Sequence, residues 1–210
     1  MPKVSRQYER AQRQRIVGGA TQAFARDGYA ATTIDQIGRE LGLSKGSIYT
    51  YFGSKEDLFV ASLQAIYDSR FETLTTAFAA DDPVEEKFRK ILEKLADIVS
   101  PRDDVFARLS LAGFLESSRV PRLLEIKTAS HRRFGGLVHR LLREGQEAGK
   151  VRPDLNIPSV TVVLLAVSDG LMLHSLVPGR GIKPKQVQRV LRETFLPMLG
   201  AAPAAPRETA

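Results

Sequence analysis

The chain contains no cysteine. That single absence excludes disulfides, cysteine-ligated zinc, iron–sulfur clusters and thiol catalysis. Histidine is nearly as scarce: His131, His139 and His174 stand apart, and none pairs at the i, i+4 spacing of a helical metal site. Long apolar runs are also missing. The longest uncharged stretch lies between Asp154 and Asp169, is interrupted by Pro158, and reads as too short to span a bilayer. Around Lys3, Arg6, Arg10, Arg13 and Arg15 no apolar segment develops, so neither a signal peptide nor a membrane anchor is expected. The expected location is the cytoplasm, with no membrane partner. Alternating apolar–polar runs between hairpin turns, and repeats at solenoid periods, are absent as well.

What is present is an ordinary globular balance. The 210 residues are 43% hydrophobic and 26% charged, enough chain for one or two domains with a real core. The formal net charge of +7 suggests a polyanionic partner, and its distribution says more. Residues 1–15 hold five basic groups against Glu9 alone, whereas residues 16–60 hold four basic against five acidic groups. The basic excess near the N-terminus is an arm ahead of a nearly neutral segment. It serves either DNA binding or simple solubility.

Apolar residues recur at helical spacing throughout. Ile16, Ala20, Ala23 and Phe24 form one stripe that Gly28 is placed to end. Val84, Phe88, Ile91, Leu92, Leu95 and Val99 form another, and Phe134, Leu137, Val138, Leu141 and Leu142 a third. Glycine and proline breaks divide the chain into about nine helices. An all-α fold is predicted: a flexible basic arm over 1–8, a three-helix DNA-binding domain over 9–53, a helical effector-binding and dimerisation domain over 54–199, and a disordered tail over 200–210.

Punctuation is densest from Thr32 to Lys55. Thr33 and Gln36 have the spacing of a capping box that starts a helix carrying Ile34, Ile37 and Leu41. Gly42 ends that helix, and Ser44 can cap the next, Lys45 to Phe52, two residues later. Gly53 stops the second helix, and Ser54 caps a long third beginning near Leu58. Two short helices joined by a glycine-containing turn make a helix-turn-helix unit. Gly38 is small where the second helix crosses, and Leu43 and Ile48 fill the joint. Lys45, Ser47, Tyr49 and Thr50 are left on the exposed face of a helix that fits a major groove.

The segment TTIDQIGRELGLSKGSIYTYFGSKEDL, Thr32 to Leu58, resembles the DNA-binding signature of the TetR/AcrR family of bacterial repressors. The segments Glu144–Pro153 and Asp169–Leu171 also look like parts of that family. The resemblance implies an all-helical homodimer that binds a palindromic DNA operator and responds to a small effector, with no cofactor. By position, Thr33 and Lys55 match phosphate contacts, while Lys45, Gly46, Ser47, Tyr49 and Tyr51 match the recognition helix, with Ser44 and Thr50 beside them. Tyr49 and Tyr51 face phosphate or pack in the small core; Lys45 serves phosphate or guanine.

Two other classes remain open at this level. Gly42-Leu-Ser-Lys-Gly46 satisfies the G-x-S-x-G pattern of a hydrolase elbow, but that chemistry needs a strand entering the turn. Gly135-Gly136 follows no strand and is no phosphate loop. The remaining class is a nonspecific architectural DNA-binding protein.

The later helices carry the expected effector pocket and dimer surface. The apolar stripe Leu63, Ile66, Tyr67 and Phe71 faces Phe88, Leu92, Phe106, Leu109, Phe114, Phe134 and Val138, suited to an acyl or aromatic ligand, or else simply core. Ser110, His131, Ser168, Asp169 and His174 are polar groups on the same helices, each either a ligand contact or a satisfied structural group. From Ser159 to Leu176 the helix is apolar on nearly every side and must be covered on nearly every side. Leu165 and Leu176, with Val187, Val190, Leu191, Thr194, Phe195 and Met198, are the expected dimer interface.

Overall fold

The computed structural model describes residues 6–98, 104–177, 183–195, 197 and 200, with main chain alone at 97, 98, 184, 194 and 195. Among these residues nine α-helices form and no strand does. In order they are α1 (Arg6–Ala31), α2 (Ile34–Leu41), α3 (Lys45–Tyr49), α4 (Lys55–Thr75), α5 (Val84–Ile98), α6 (Asp104–Glu116), α7 (Pro121–Glu147), α8 (Ile157–Ser175) and α9 (Pro184–Val190). A π-helical turn, Leu191–Phe195, continues α9.

The basic arm expected over 1–8 is already helical from Arg6, and residues 1–5 lie outside those described. Gly28 breaks α1 as expected: its φ of 80° and ψ of 166° interrupt the helix with a kink rather than a clean stop. The second helix of the unit ends at Tyr49 instead of Phe52.

Packing divides the described chain into two compact units: residues 6–69 with 104–130, and residues 70–98 with 131 onward. The first unit thus extends past residue 53 and takes in α6. The reason is a shared core, in which Leu109 of α6 is buried with Phe24, Ile37, Ile48, Leu58, Phe59 and Leu63. Phe24 and Phe59 meet edge to face with centroids 4.9 Å apart, and Tyr29 lies 4.7 Å from the same Phe59 ring. Thr32, fully buried, donates its hydroxyl to the Gly28 carbonyl at 2.6 Å, bracing the kink.

The second unit is built on Leu74, Ile91, Leu95, Leu137 and Leu141, with a satellite of Val138, Leu142, Val151, Leu155 and Ile157. A Cβ on Gly145 would stand 2.6 Å from a Val151 methyl and 3.2 Å from the Phe88 ring, so the chain after α7 can fold back only over a glycine. Val187 and Leu191 belong to this core, 3% and 4% exposed. Their expected place in a dimer interface is corrected: the stripe along α9 turns inward within its own unit.

Candidate nucleic-acid interface

The helix-turn-helix is assembled by caps that act within four residues. Thr33 accepts a hydrogen bond from the Gln36 N–H at 3.1 Å and starts α2. The reciprocal half of a capping box is not made. The Gln36 amide instead donates to Asp27 at 2.6 Å and Glu40 at 3.4 Å. Gly42 takes the left-handed conformation (φ 64°, ψ 34°) that ends α2, and the Leu43 N–H turns back to the Gly38 carbonyl at 2.8 Å. Gly38 is required by that turn. A Cβ there would lie 2.7 Å from the Leu43 carbonyl oxygen, whereas Ile48 on the second helix is 3.6 Å away.

Ser44 then caps α3, accepting from the Ser47 N–H at 3.1 Å, and its hydroxyl shares a 2.7 Å hydrogen bond with that of Ser47. A helix precedes this turn and the serine is spent on a cap, which removes the strained strand-to-helix geometry that a nucleophile elbow needs. Ser54 repeats the device at α4, accepting from the Asp57 N–H at 3.0 Å and donating to its carboxylate at 2.8 Å.

Ile48 and Phe52 are core, 0% and 3% exposed. Ser44, Lys45, Gly46, Tyr49 and Thr50 are exposed, and Ser47 and Tyr51 half-buried. Tyr51 packs against the core cluster, Tyr49 does not. The hydroxyl of Thr50 donates to the Gly46 carbonyl at 3.1 Å. One face of a five-residue helix therefore carries an ammonium and several hydroxyls, the groups that read phosphates and base edges.

The cations are less free than their positions in the sequence suggest. Lys45 pairs with Asp35 at 2.9 Å. Lys55 donates to the Ala30 carbonyl at 3.3 Å and stands 4.5 Å over the Tyr29 ring, and burial pushes its ammonium below the usual lysine value. Arg26 is held by Asp27 and Glu40, and Arg15 donates to the Leu41 carbonyl at the end of α2 at 2.6 Å. Arg122 of α7 reaches Asp57 at 2.7 Å. These partners lie one to 65 residues apart, and most carry no local signal in the sequence.

The residues expected to line one effector pocket fall into both units. In the first, Leu63 and Leu109 are packed core, 1% and 0% exposed, which corrects the assignment of Leu109 as lining and leaves Leu63 only at the edge of a small void. Tyr67 and Phe106 meet edge to face at 5.7 Å, Ile66 is half-buried and Phe114 exposed. Leu63, Tyr67 and Phe114 border a void of only about 10 Å³. Ser110 is 3% exposed and its hydroxyl has no hydrogen-bond partner among the described residues. In the second unit Phe71, Phe88, Leu92 and Phe134 are half-buried and Val138 is buried. His131 lies 3.5 Å from Asp169, and His174 is exposed.

Along α8, Val162 (66% exposed), Val163 (47%) and Leu173 (46%) are bare, Leu165 and Leu176 half-buried. Val190 is 57% exposed. By length and composition alone α8 is able to cross a membrane, a finding at odds with the expected absence of any such span. The side chains of Thr194 and Phe195, and Met198 altogether, lie outside the described residues.

A caps-and-glycine helix-turn-helix followed by a helical second unit defines a class of protein, the helical one-component DNA-binding regulators. Comparison with known proteins makes the assignment specific. Residues 16–62 match the bacterial regulatory proteins of the tetR family, and residues 84–199 match the BetI-type transcriptional repressor C-terminal domain. The chain is 27% identical to the HTH-type transcriptional regulator SrpR of Pseudomonas putida over 84% of its own length and 78% of that protein's. It is also 27% identical to the HTH-type transcriptional regulator BetI 2 of Chromohalobacter salexigens, over 95% and 92% respectively. A tetR-family regulatory protein from Rhodococcus RHA1 superposes with a TM-score of 0.73 at 21% identity, covering 91% of this chain and 98% of that one. A Saccharomonospora viridis protein solved in complex with choline gives 0.75 at 24% identity, over 88% and 95%. The chain belongs to the TetR family and is a helix-turn-helix transcriptional regulator.

Proposed function

We propose that the protein acts in the cytoplasm as a homodimeric repressor, binds a pseudo-palindromic operator, and is released from it by a small, largely apolar effector. The observation that carries the dimer is the bare apolar face of α8 in a chain that also bears a helix-turn-helix. Contiguous exposed apolar surface of this kind marks an interface, and two recognition helices related by a two-fold axis read two half-sites. Val162, Val163, Leu165, Leu173, Leu176 and Val190 form the partner surface. Thr33, Ser44, Lys45, Gly46, Ser47, Tyr49, Thr50, Tyr51 and Lys55 form the DNA surface. Lys55 must leave its Ala30 contact, or act through its remaining protons, to reach phosphate. No reaction is assigned to the chain, since Ser44 works as a helix cap.

For the effector, the half-buried rings Phe71, Phe88 and Phe134 of the second unit supply apolar contact. Tenfold release of DNA requires the ligand to favour the non-binding arrangement by about 1.4 kcal/mol. A second reading, a quaternary-ammonium effector, is favoured by one contact: Arg133 stands 4.3 Å over the Phe71 ring, so that face already accepts a cation.

The test begins with sedimentation of the purified chain without detergent, where a dimer is expected and Val163→Glu gives monomers. A wild-type monomer, or recovery only in detergent with α8 inserted in lipid, overturns the dimer reading. A duplex selected from random oligonucleotides should be a palindrome, and apolar and quaternary-ammonium compounds are then screened for its release.

A further inference from the structure

We propose that Asp35 sets the DNA specificity of this protein by acting through Lys45, lowering affinity for non-cognate DNA more than affinity for the operator. The inference rests on the DNA-binding reading above. Asp35 lies in the first turn of α2, and Lys45 is the first residue of α3. The turn brings them together across ten residues, with Lys45 Nζ 2.9 Å from Asp35 Oδ2. Both side chains are more than half exposed, 54% and 58%, so the pair stands at the surface where the backbone of a bound duplex must pass.

The surroundings make this pair matter. Arg26 is committed to Asp27 and Glu40, and Lys55 to the Ala30 carbonyl and the Tyr29 ring. With Lys45 held by Asp35, the recognition helix offers no free ammonium, and the hydroxyls of Ser47 and Thr50 are themselves hydrogen-bonded to Ser44 and to the Gly46 carbonyl.

Nonspecific DNA affinity comes almost entirely from cations replacing counterions on phosphate. Asp35 withdraws one such cation and sets a carboxylate beside the phosphate path. A non-cognate duplex must either break the pair for an ill-placed acceptor or bind with it intact and face the carboxylate. An operator that presents a guanine edge or a fixed phosphate to Lys45 replaces the pair with a better contact. This is discrimination by a built-in repulsive element. A purely structural Asp35 would only favour the α2 dipole, which moves stability and leaves selectivity alone.

The experiment measures binding of wild type, Asp35→Asn, Lys45→Ala and the double variant to a mixed-sequence duplex and to the selected palindrome, over a salt series. Asp35→Ser, which keeps a short polar side chain in the first turn without the charge, repeats the first substitution, and unfolding midpoints are recorded for all. Asp35→Asn should tighten mixed-sequence binding by roughly two- to fivefold. The log–log salt slope should steepen by up to about 0.9. Affinity for the palindrome should change less, and in the Lys45→Ala background the gain should shrink. Unchanged mixed-sequence affinity and slope in both Asp35 variants overturns the proposal, as does an equal gain with and without Lys45. Failure of the wild type to bind any duplex overturns the DNA-binding reading itself, and this proposal with it.

Discussion

Arg122 Nη1 lies 2.7 Å from Asp57 Oδ1, tying the first turn of α7 to the first turn of α4 across 65 residues of sequence. Asp57 is the residue whose N–H and carboxylate are both engaged by the Ser54 cap. The helix that follows the recognition element is thus secured twice at its start, once locally and once by a distant cation.

That pair predicts an acid limb in stability. Arg122 first, and Ser54 second, hold the Asp57 carboxyl below the usual carboxylate range. A carboxylate with a depressed folded pKa adds stability above its unfolded value of 3.8, and that stability is lost as pH falls through the folded value. Denaturation midpoints should therefore fall as pH drops below 3.8, and Arg122→Ala should flatten that limb. An unchanged limb in Arg122→Ala would mean that other carboxylates set it.

Ser44→Ala should cost about 1 kcal/mol of unfolding free energy, the usual worth of a helix cap. DNA binding should suffer more than stability, because α3 has only five residues over which to absorb the loss. Equal losses in the two measurements would show that the cap does not orient the reading face.

Gly38→Ala places a methyl 2.7 Å from a backbone carbonyl, which cannot rotate away as a side chain can. Overpacking of this kind costs about 1–3 kcal/mol, and the turn between α2 and α3 must shift to relieve it. Thermal unfolding together with a binding assay checks both effects.

Lys87 and Glu144 predict an asymmetry. Lys87 Nζ is 2.6 Å from Glu144 Oε1, with side-chain exposures of 6% and 44%. Removing the carboxylate with Glu144→Ala leaves a buried ammonium unpaired, worth about 3–5 kcal/mol. Removing the ammonium with Lys87→Met leaves only a half-exposed carboxylate, so the effect should be small or stabilising. If chemical denaturation ranks the two variants the other way, the burial of Lys87 is not what makes the pair matter.

Ser110→Ala deletes a buried hydroxyl that has no partner among the described residues, and should stabilise the chain by about 1 kcal/mol. Destabilisation would instead reveal a water or ligand that satisfies this hydroxyl in solution.

The outline of the DNA-reading element was legible in the sequence because its signals are local. Thr33, Gly42, Ser44 and Ser54 make their caps with groups three or four residues away, so spacing alone locates them. The same locality explains why Ile37, on the apolar stripe of α2, and Ile48, in the joint, could be read as buried. Where one apolar stripe meets another is a different matter. Spacing showed that Val187 and Leu191 share a face, and only the packing of the second unit sent that face inward and left Val190 outside. Likewise Leu63 and Leu109 are apolar at helical spacing whether they line a cavity or fill a core, and the fit of α6 into the core of the first unit filled it. Charge partners were the least legible. Lys45 meets Asp35 across ten residues, Lys55 meets Ala30 across 25, and Arg122 meets Asp57 across 65. The sequence by itself thus determined the helices, their caps and the polar, exposed face of α3. Tertiary structure alone decided which cations on that face are free, because an ion pair is a property of distance in space and leaves no period along the chain.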